Sequence, residues 1–284
     1  MKSQALDAYL ARLNDSVREQ SRVWLDEQGR AVGRYFNTAL TSAFQPVRAH
    51  GSSEATTGAS GGQIVAYEAF ARSYSEFDSG LHLWKLLDQA ASDDESVELD
   101  RLCRMLHAIN FYRQPQAAYA DLHLSVHARL LAAVNSNHGI AFRRILNLLE
   151  LPHERILLQL PVVTQNQSWL LNYVLDNYRR NGFRLGISAA DPREALSLLD
   201  KVKPDLIKVD ARELGDPDSA GLLLLRAAEK GVQISFKRVE NPAVFAQLNA
   251  FGAALAQPIY AQGYLWDTPA AGLPLSTHAT EQAA

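Results

Sequence analysis

The sequence predicts an α/β protein, a TIM-like (β/α) barrel, from three observations. Short apolar segments alternate with helix-period segments through the C-terminal half, at a repeat of roughly 20–27 residues per unit, as crossover-linked parallel strands require. The strands read as apolar throughout, the pattern of a sheet covered on both faces. The length of 284 residues suits one such barrel.

The elements follow in order. Arg155 to Leu160 reads as a strand, Asn166 to Arg180 as a helix stopped by Gly182, and Phe183 to Ser188 as the next strand. The following helix opens on Asp191-Pro192-Arg-Glu194, with an N-cap, a proline at the first helical position and a glutamate completing a capping box. Asp205 to Asp210 is a strand, Pro217 to Lys230 a helix stopped by Gly231, and Val232 to Phe236 a strand. Asn241-Pro242 opens a helix expected to stop at Gly252, leaving Ala253 to Gln257 as the last strand. The earlier half predicts a hairpin of Ser42 to Arg48 with Gln63 to Ala69 around a Gly/Ser/Thr-rich loop, Gly51 to Gly62. It also predicts helices at Val97 to Phe111 and Ile140 to Leu149, and a strand at Tyr119 to Ser125. Domains are expected at 1–38, an N-terminal helical extension, at 39–272, the barrel, and at 273–284, a frayed tail. The extension carries Leu6, Tyr9, Leu10, Leu13, Val17 and Trp24 at helical spacing, for packing on the barrel or for a partner helix.

Composition narrows the class. Apolar residues make up 47% and charged residues 21%, with a net charge of −3. No broad basic surface for nucleic acid is implied. No run of about 18 apolar residues exists to span a membrane, and the start lacks the apolar core of a signal peptide. The single cysteine, Cys103, excludes an internal disulfide, so a reducing, cytoplasmic setting is expected. Walker, dinucleotide-fingerprint, nucleophile-elbow and paired-cysteine motifs are absent.

Eight short blocks carry a resemblance. Ala43-Phe-Gln-Pro-Val47 is similar to FQPI, and Tyr67-Glu68-Ala69-Phe70-Ala71-Arg72 to YEALLR. Leu122-His-Leu-Ser-Val126 lies where VNLS would stand, Leu157-Leu-Gln159-Leu160 where ELTE would, and Ile187-Ser-Ala-Ala-Asp191 where DDFG would. Leu206-Ile-Lys208-Val-Asp210 is similar to LKID, Phe236-Lys-Arg-Val-Glu240 to AEGVE, and Gln262-Gly-Tyr-Leu265 with Pro269 to QGYLFGRP. Together, from Ser42 to Pro269, they resemble the EAL-domain family of cyclic di-GMP phosphodiesterases in sequence order.

The resemblance implies an EAL-type barrel. In active members it also implies two divalent cations at the C-terminal mouth, which activate water against a phosphodiester of cyclic di-GMP. Such cations require hard, anionic oxygen ligands. Of the implied positions, Glu68, Lys208, Asp210 and Glu240 are kept, while the asparagine falls on His123 and a glutamate on Gln159. The paired aspartates fall on Ser188 and Ala189, and the late glutamate on Lys237. An ammonium about 4 Å from a divalent cation is repelled by about 8 kcal/mol at an effective dielectric of about 20. The expectation is therefore a degenerate member with no catalytic residues and no bound magnesium or manganese.

Two roles remain open from the sequence. In a metal-independent cyclic di-GMP receptor, the ligand would meet Gln45, Glu68, Ala69, Phe70, Arg72, Lys208, Asp210, Lys237, Pro269 and one of two glutamines. Spacing from Gly252 selects Gln257 and motif selects Gln262. Trp266 is either a stacking face for a base or a packing aromatic. In a nucleotide-blind protein-interaction module, the same losses reflect relaxed constraint and a regulatory protein partner is expected. Either role is compatible with a homodimer. An active hydrolase using another metal through His123 and Glu68 is the least supported reading, because His123 and His127 lie on a strand running into a loop.

Overall fold

The computed structural model describes residues 3–14, 21–51, 62–74, 93–127, 138–161 and 168–274. Val17, Asn166, most of the expected 51–62 loop and the 275–284 end of the tail lie outside the described residues. Ten strands are present among those described: β1 (Val23–Leu25), β2 (Ala31–Tyr35), β3 (Thr38–His50), β4 (Gln63–Ser73), β5 (Asp121–Ser125), β6 (Ile156–Leu160), β7 (Arg184–Ala189), β8 (Leu206–Asp210), β9 (Gln233–Lys237) and β10 (Ile259–Ala261). The helices are α1 (Gln4–Asn14), α2 (Asp93–Tyr112), α3 (His138–Leu148), α4 (Ser168–Arg180), α5 (Pro192–Lys201), α6 (Pro217–Lys230) and α7 (Pro242–Leu255).

Strands β3 to β10 close an eight-stranded barrel in the order β3-β10-β9-β8-β7-β6-β5-β4, sealed by β3–β4 pairing. β3 runs antiparallel to both neighbours, and the other strands pair in parallel. The α/β barrel and the expected hairpin are thus both present. Helix boundaries obey local chemistry. Asp191, Asp216 and Asn241 cap the starts of α5, α6 and α7 with their side chains, each ahead of a proline. Gly231 ends α6 at φ +66°, where a side chain would be strained.

Three expectations are corrected. Gly252 does not stop α7, which continues to Leu255 and ends on Ala256 in the left-handed region. A Cβ on Gly252 would lie 2.7 Å from Ile259 Cγ1, so this glycine permits close helix–strand packing rather than a turn. The segment 253–257 is therefore the helix end, and the last strand is β10. In the N-terminal extension only α1 is helical among the described residues; Trp24 lies on β1, and β1 and β2 continue the sheet from β3. The segment after Pro269 is docked as far as Pro274. Ala270 exchanges two backbone hydrogen bonds with Phe44, Gln114 Oε1 accepts from Leu273 N at 2.9 Å, and Tyr67 Oη donates to Pro274 O at 3.0 Å.

α2 seals β2 and β3 with buried polar groups as well as Leu102 and Leu106. Asn110 accepts from Ala31 N at 2.7 Å and donates to Ala31 O at 2.8 Å, while His107 Nδ1 lies 2.8 Å from Ser42 Oγ. Burial lowers His107 to a pKa of about 3. Burial, helped by Arg48, lowers His50 to about 4 where it packs on Phe245 and Trp266. Both rings are held neutral, so the unfolded chain takes up protons first as pH falls. Unfolding free energy is expected to be full above about pH 6.5 and to fall on acidification toward 4 by about 1.4 kcal/mol per pH unit per fully buried histidine. Denaturant titrations across that window check this, and a flat profile would contradict neutral burial.

Candidate functional site

The C-terminal ends of the parallel strands open into a cavity of about 420 Å³. Its wall includes Gln45 from β3, Glu68 and Phe70 from β4, Gln159 from β6, Ser188 from β7, Lys208 from β8 and Lys237 from β9, with Gln262 and Pro269 beyond β10. Alternation along a strand explains the choice. Glu68 and Phe70 share the inner face of β4, whereas Ala69 between them is buried in the outer core. Likewise Ser188 lines the cavity while Ala189 packs in the apolar layer with Ile207 and Leu223.

Charge in the cavity is partly spent. Lys208 Nζ lies 2.9 Å from Glu68 Oε2, with the lysine side chain 1% exposed. His123 pairs in register with Glu68 and is buried, its Nδ1 without a hydrogen bond to the described residues. Burial first, then Lys208 and Arg184, holds it well below the ordinary imidazole value. Gln159 Nε2 donates to Ser188 Oγ at 3.2 Å. Gln262 Nε2 donates to Gln45 Oε1 at 3.1 Å, and Gln45 Nε2 donates to Asp267 O at 2.8 Å. Bidentate Arg48–Asp267 bonds pin this stretch of chain to β3.

Lys237 differs from all of these. It lines the cavity half-buried and makes no hydrogen bond or ion pair with the described residues. Burial depresses its pKa, Arg238 and Lys208 add to the effect, and the more distant charges of Glu68 and Asp210 oppose it. Asp210 lies outside the wall and binds Arg212 and Arg238, the latter at 2.7 Å. Burial alone would raise its carboxyl; the Arg212 side chain and backbone, with Arg238, overcome this and hold it at about 2.

Several expected residues are placed elsewhere. Gln257 follows α7 at the opposite end of β10 from the mouth, which assigns the mouth glutamine to Gln262. Arg72 shares a face with Glu68 and Phe70 but is not part of the cavity wall. Trp266 packs on His50 with the rings tilted by 32° and meets Phe245 edge-on, and is thus a packing aromatic. Glu240 lines the cavity at an exposed position. His127 is buried, and its backbone N–H donates to Asp100 at 3.3 Å.

Sequence reasoning missed Arg238, Tyr264, Ser125, Val126, Leu160 and Pro161, all of which line the cavity. Their signal was position: five directly follow or end a strand already marked by a motif, and Tyr264 lies within the Gln262–Leu265 block. As for a metal, among the described residues no three His, Cys, Asp or Glu side chains come together as donors. The anionic donor best placed for one, Glu68, is engaged by a lysine. This donor set does not fit a pair of hard divalent cations.

A family model described as the EAL domain matches residues 36–269. Among solved structures the chain is similar to Klebsiella pneumoniae BlrP1 in a manganese and cyclic di-GMP complex, at 18% identity and TM-score 0.66, over 82% of this chain and 57% of that one. It is similar to Bacillus subtilis YkuI, with cyclic di-GMP and calcium, at 17% identity and TM-score 0.66, over 86% and 59%. The EAL domain of Xanthomonas citri FimX in complex with cyclic di-GMP is similar at 16% identity and TM-score 0.63, over 83% and 90%. The chain thus matches less than two thirds of the length of the first two, and these likenesses bear on the fold. No curated protein matches it.

Proposed function

The chain belongs to the EAL-domain family, and from that premise we propose that it is a non-catalytic receptor in cyclic di-GMP signalling. It would hold the dinucleotide at the barrel mouth without a divalent metal. The observation that carries this is Lys237, a cation on the cavity wall with no ion-pair partner among the described residues, where the family block has a glutamate. A lysine there repels a metal and attracts a phosphate. Gln159 and Ser188 on the wall, in place of acidic residues, remove repulsion toward the phosphates as well as anionic donors of a metal pair. Phe70, Tyr264 and Pro269 supply apolar wall for a base. In this reading no water is activated, and the bound nucleotide leaves unchanged.

Two observations favour a nucleotide-blind interaction module instead. Arg72 stands outside the wall, and the Gln45 and Gln262 side chains are already bonded to each other. Calorimetric titration with cyclic di-GMP, once with magnesium and once with EDTA, separates the readings. Micromolar binding that survives EDTA is expected. Binding only with magnesium would restore a metal site to the account, and no binding in either buffer would favour the interaction module. Among the described residues no helix is long and apolar enough to cross a membrane.

A further inference from the structure

Arg238 has a left-handed backbone, with φ of +60°. A residue carrying a Cβ pays about 1–2 kcal/mol for that conformation, and a glycine does not. The AEGVE block to which this segment is similar has its glycine at this position. Three other non-glycine residues with positive φ are described, Phe36, Glu150 and Ala256, and each sits at a hairpin turn or beyond a helix end. Of the four, only Arg238 lines the cavity. Strain of this kind persists where surrounding contacts impose it, and it gathers at binding sites.

Backbone bonds of the next residue hold the turn: Val239 N donates to Gln262 O at 3.0 Å, and Val239 O accepts from Leu265 N at 3.1 Å. Arg238 Nη1 donates to Asp210 Oδ2 at 2.7 Å, while its Nε and Nη2 make no hydrogen bond with the described residues. Its side chain is 52% exposed. Asp210 is also bound by Arg212, so its negative charge is more than matched. The preceding residue is Lys237, whose ammonium is likewise unspent. Among the described residues, the charged side chains of the cavity wall are the cations Lys208, Lys237 and Arg238 and the carboxylates Glu68 and Glu240. Glu68 is engaged by Lys208 and Glu240 offsets one further charge, so three cations less two carboxylates leave a surplus of +1 on Lys237 and Arg238.

We propose that Lys237 and Arg238 form a clamp for one phosphate group of the ligand, Lys237 from the wall and Arg238 from the rim. Asp210 is the positioning residue: it holds the guanidinium by one edge and leaves the remaining donors for phosphate oxygens. The pairing of a compact ammonium with a planar fork suits a phosphate, which accepts a point charge and a bidentate contact at once. The clamp itself requires only a phosphate; its assignment to cyclic di-GMP rests on the receptor reading above.

The test uses the full chain with Arg238→Gly and Lys237→Met, titrated by calorimetry with cyclic di-GMP and, separately, with inorganic pyrophosphate. Thermal unfolding is followed on each variant. Glycine accepts φ of +60°, so Arg238→Gly is expected to fold with an unchanged or raised midpoint and to bind at least tenfold more weakly. Lys237→Met is expected to weaken binding by a similar factor. If the parent binds cyclic di-GMP and Arg238→Gly binds equally well, the clamp is overturned and the receptor reading stands. A variant that loses stability but keeps its affinity would make Arg238 a structural latch and also overturn the clamp. If the parent binds only pyrophosphate, through both residues, the clamp stands and the receptor reading falls. Binding of neither ligand by the parent overturns both.

Discussion

Gly263→Ala is expected to destabilise the protein by about 3 kcal/mol or more, at the upper end of overpacking costs. A Cβ there would lie 2.0 Å from Val239 O, 2.4 Å from its N and 2.5 Å from its C. All three are backbone atoms, so no rotamer change relieves the clash. Val239 cannot retreat freely either. Its N–H donates to Gln262 O at 3.0 Å, and its carbonyl accepts from Leu265 N at 3.1 Å. Gly221→Ala on α6 is the control, since its new Cβ would meet Phe251 at an ordinary 3.7 Å. In a helix interior that change should add roughly 0.5–1 kcal/mol. Denaturant midpoints that move in opposite directions for the two alanines would confirm the close approach; equal shifts would contradict it.

Glu68→Leu is the second large effect. It leaves Lys208, 1% exposed, without the carboxylate 2.9 Å from its ammonium. Removing one partner of a buried pair typically costs about 3–5 kcal/mol, because the other charge stays behind. Replacing both with apolar residues, Glu68→Leu with Lys208→Met, is expected to recover most of the loss. Chemical denaturation of the parent, the two single variants and the double variant measures the coupling. A loss below about 1 kcal/mol for Glu68→Leu would mean that Lys208 is served by other groups.

Much of the barrel was legible because its boundaries are written in local chemistry. Aspartate or asparagine followed by proline opens α5, α6 and α7, and Gly231 closes α6. Gly252 misled because a missing Cβ has two uses. In α7 it admits Ile259 rather than turning the chain, and sequence does not separate those uses. The error moved the last strand and left Gln257 competing with Gln262. Trp24 misled for another reason: strands of three and five residues, β1 and β2, are too short to display a period. At the site, the motifs found the right strand ends but not the right faces. Adjacent residues on a strand point to opposite sides, so Glu68 and Ala69, or Ser188 and Ala189, do not belong to one surface. Arg238 went unread because its importance lies in a backbone angle, which residue type alone discourages rather than announces.

The antiparallel β3 gives the barrel a seam with a consequence for how the chain reaches this form. Its pairing with β4 is a hairpin contact, available early. Its pairing with β10 is not: the bonds that join its neighbourhood to the far end of the chain, Gln45 to Asp267, Arg48 to Asp267 and Gln262 to Gln45, span 222, 219 and 217 residues. Loop closure on that scale is slow, and the Arg48–His50 end of β3 lacks its β10 partner until it happens. During synthesis the ring therefore stays open until β10 and the Asp267–Pro274 stretch have emerged. The cavity, whose wall draws on both sides of the seam, is among the last features of the molecule to exist.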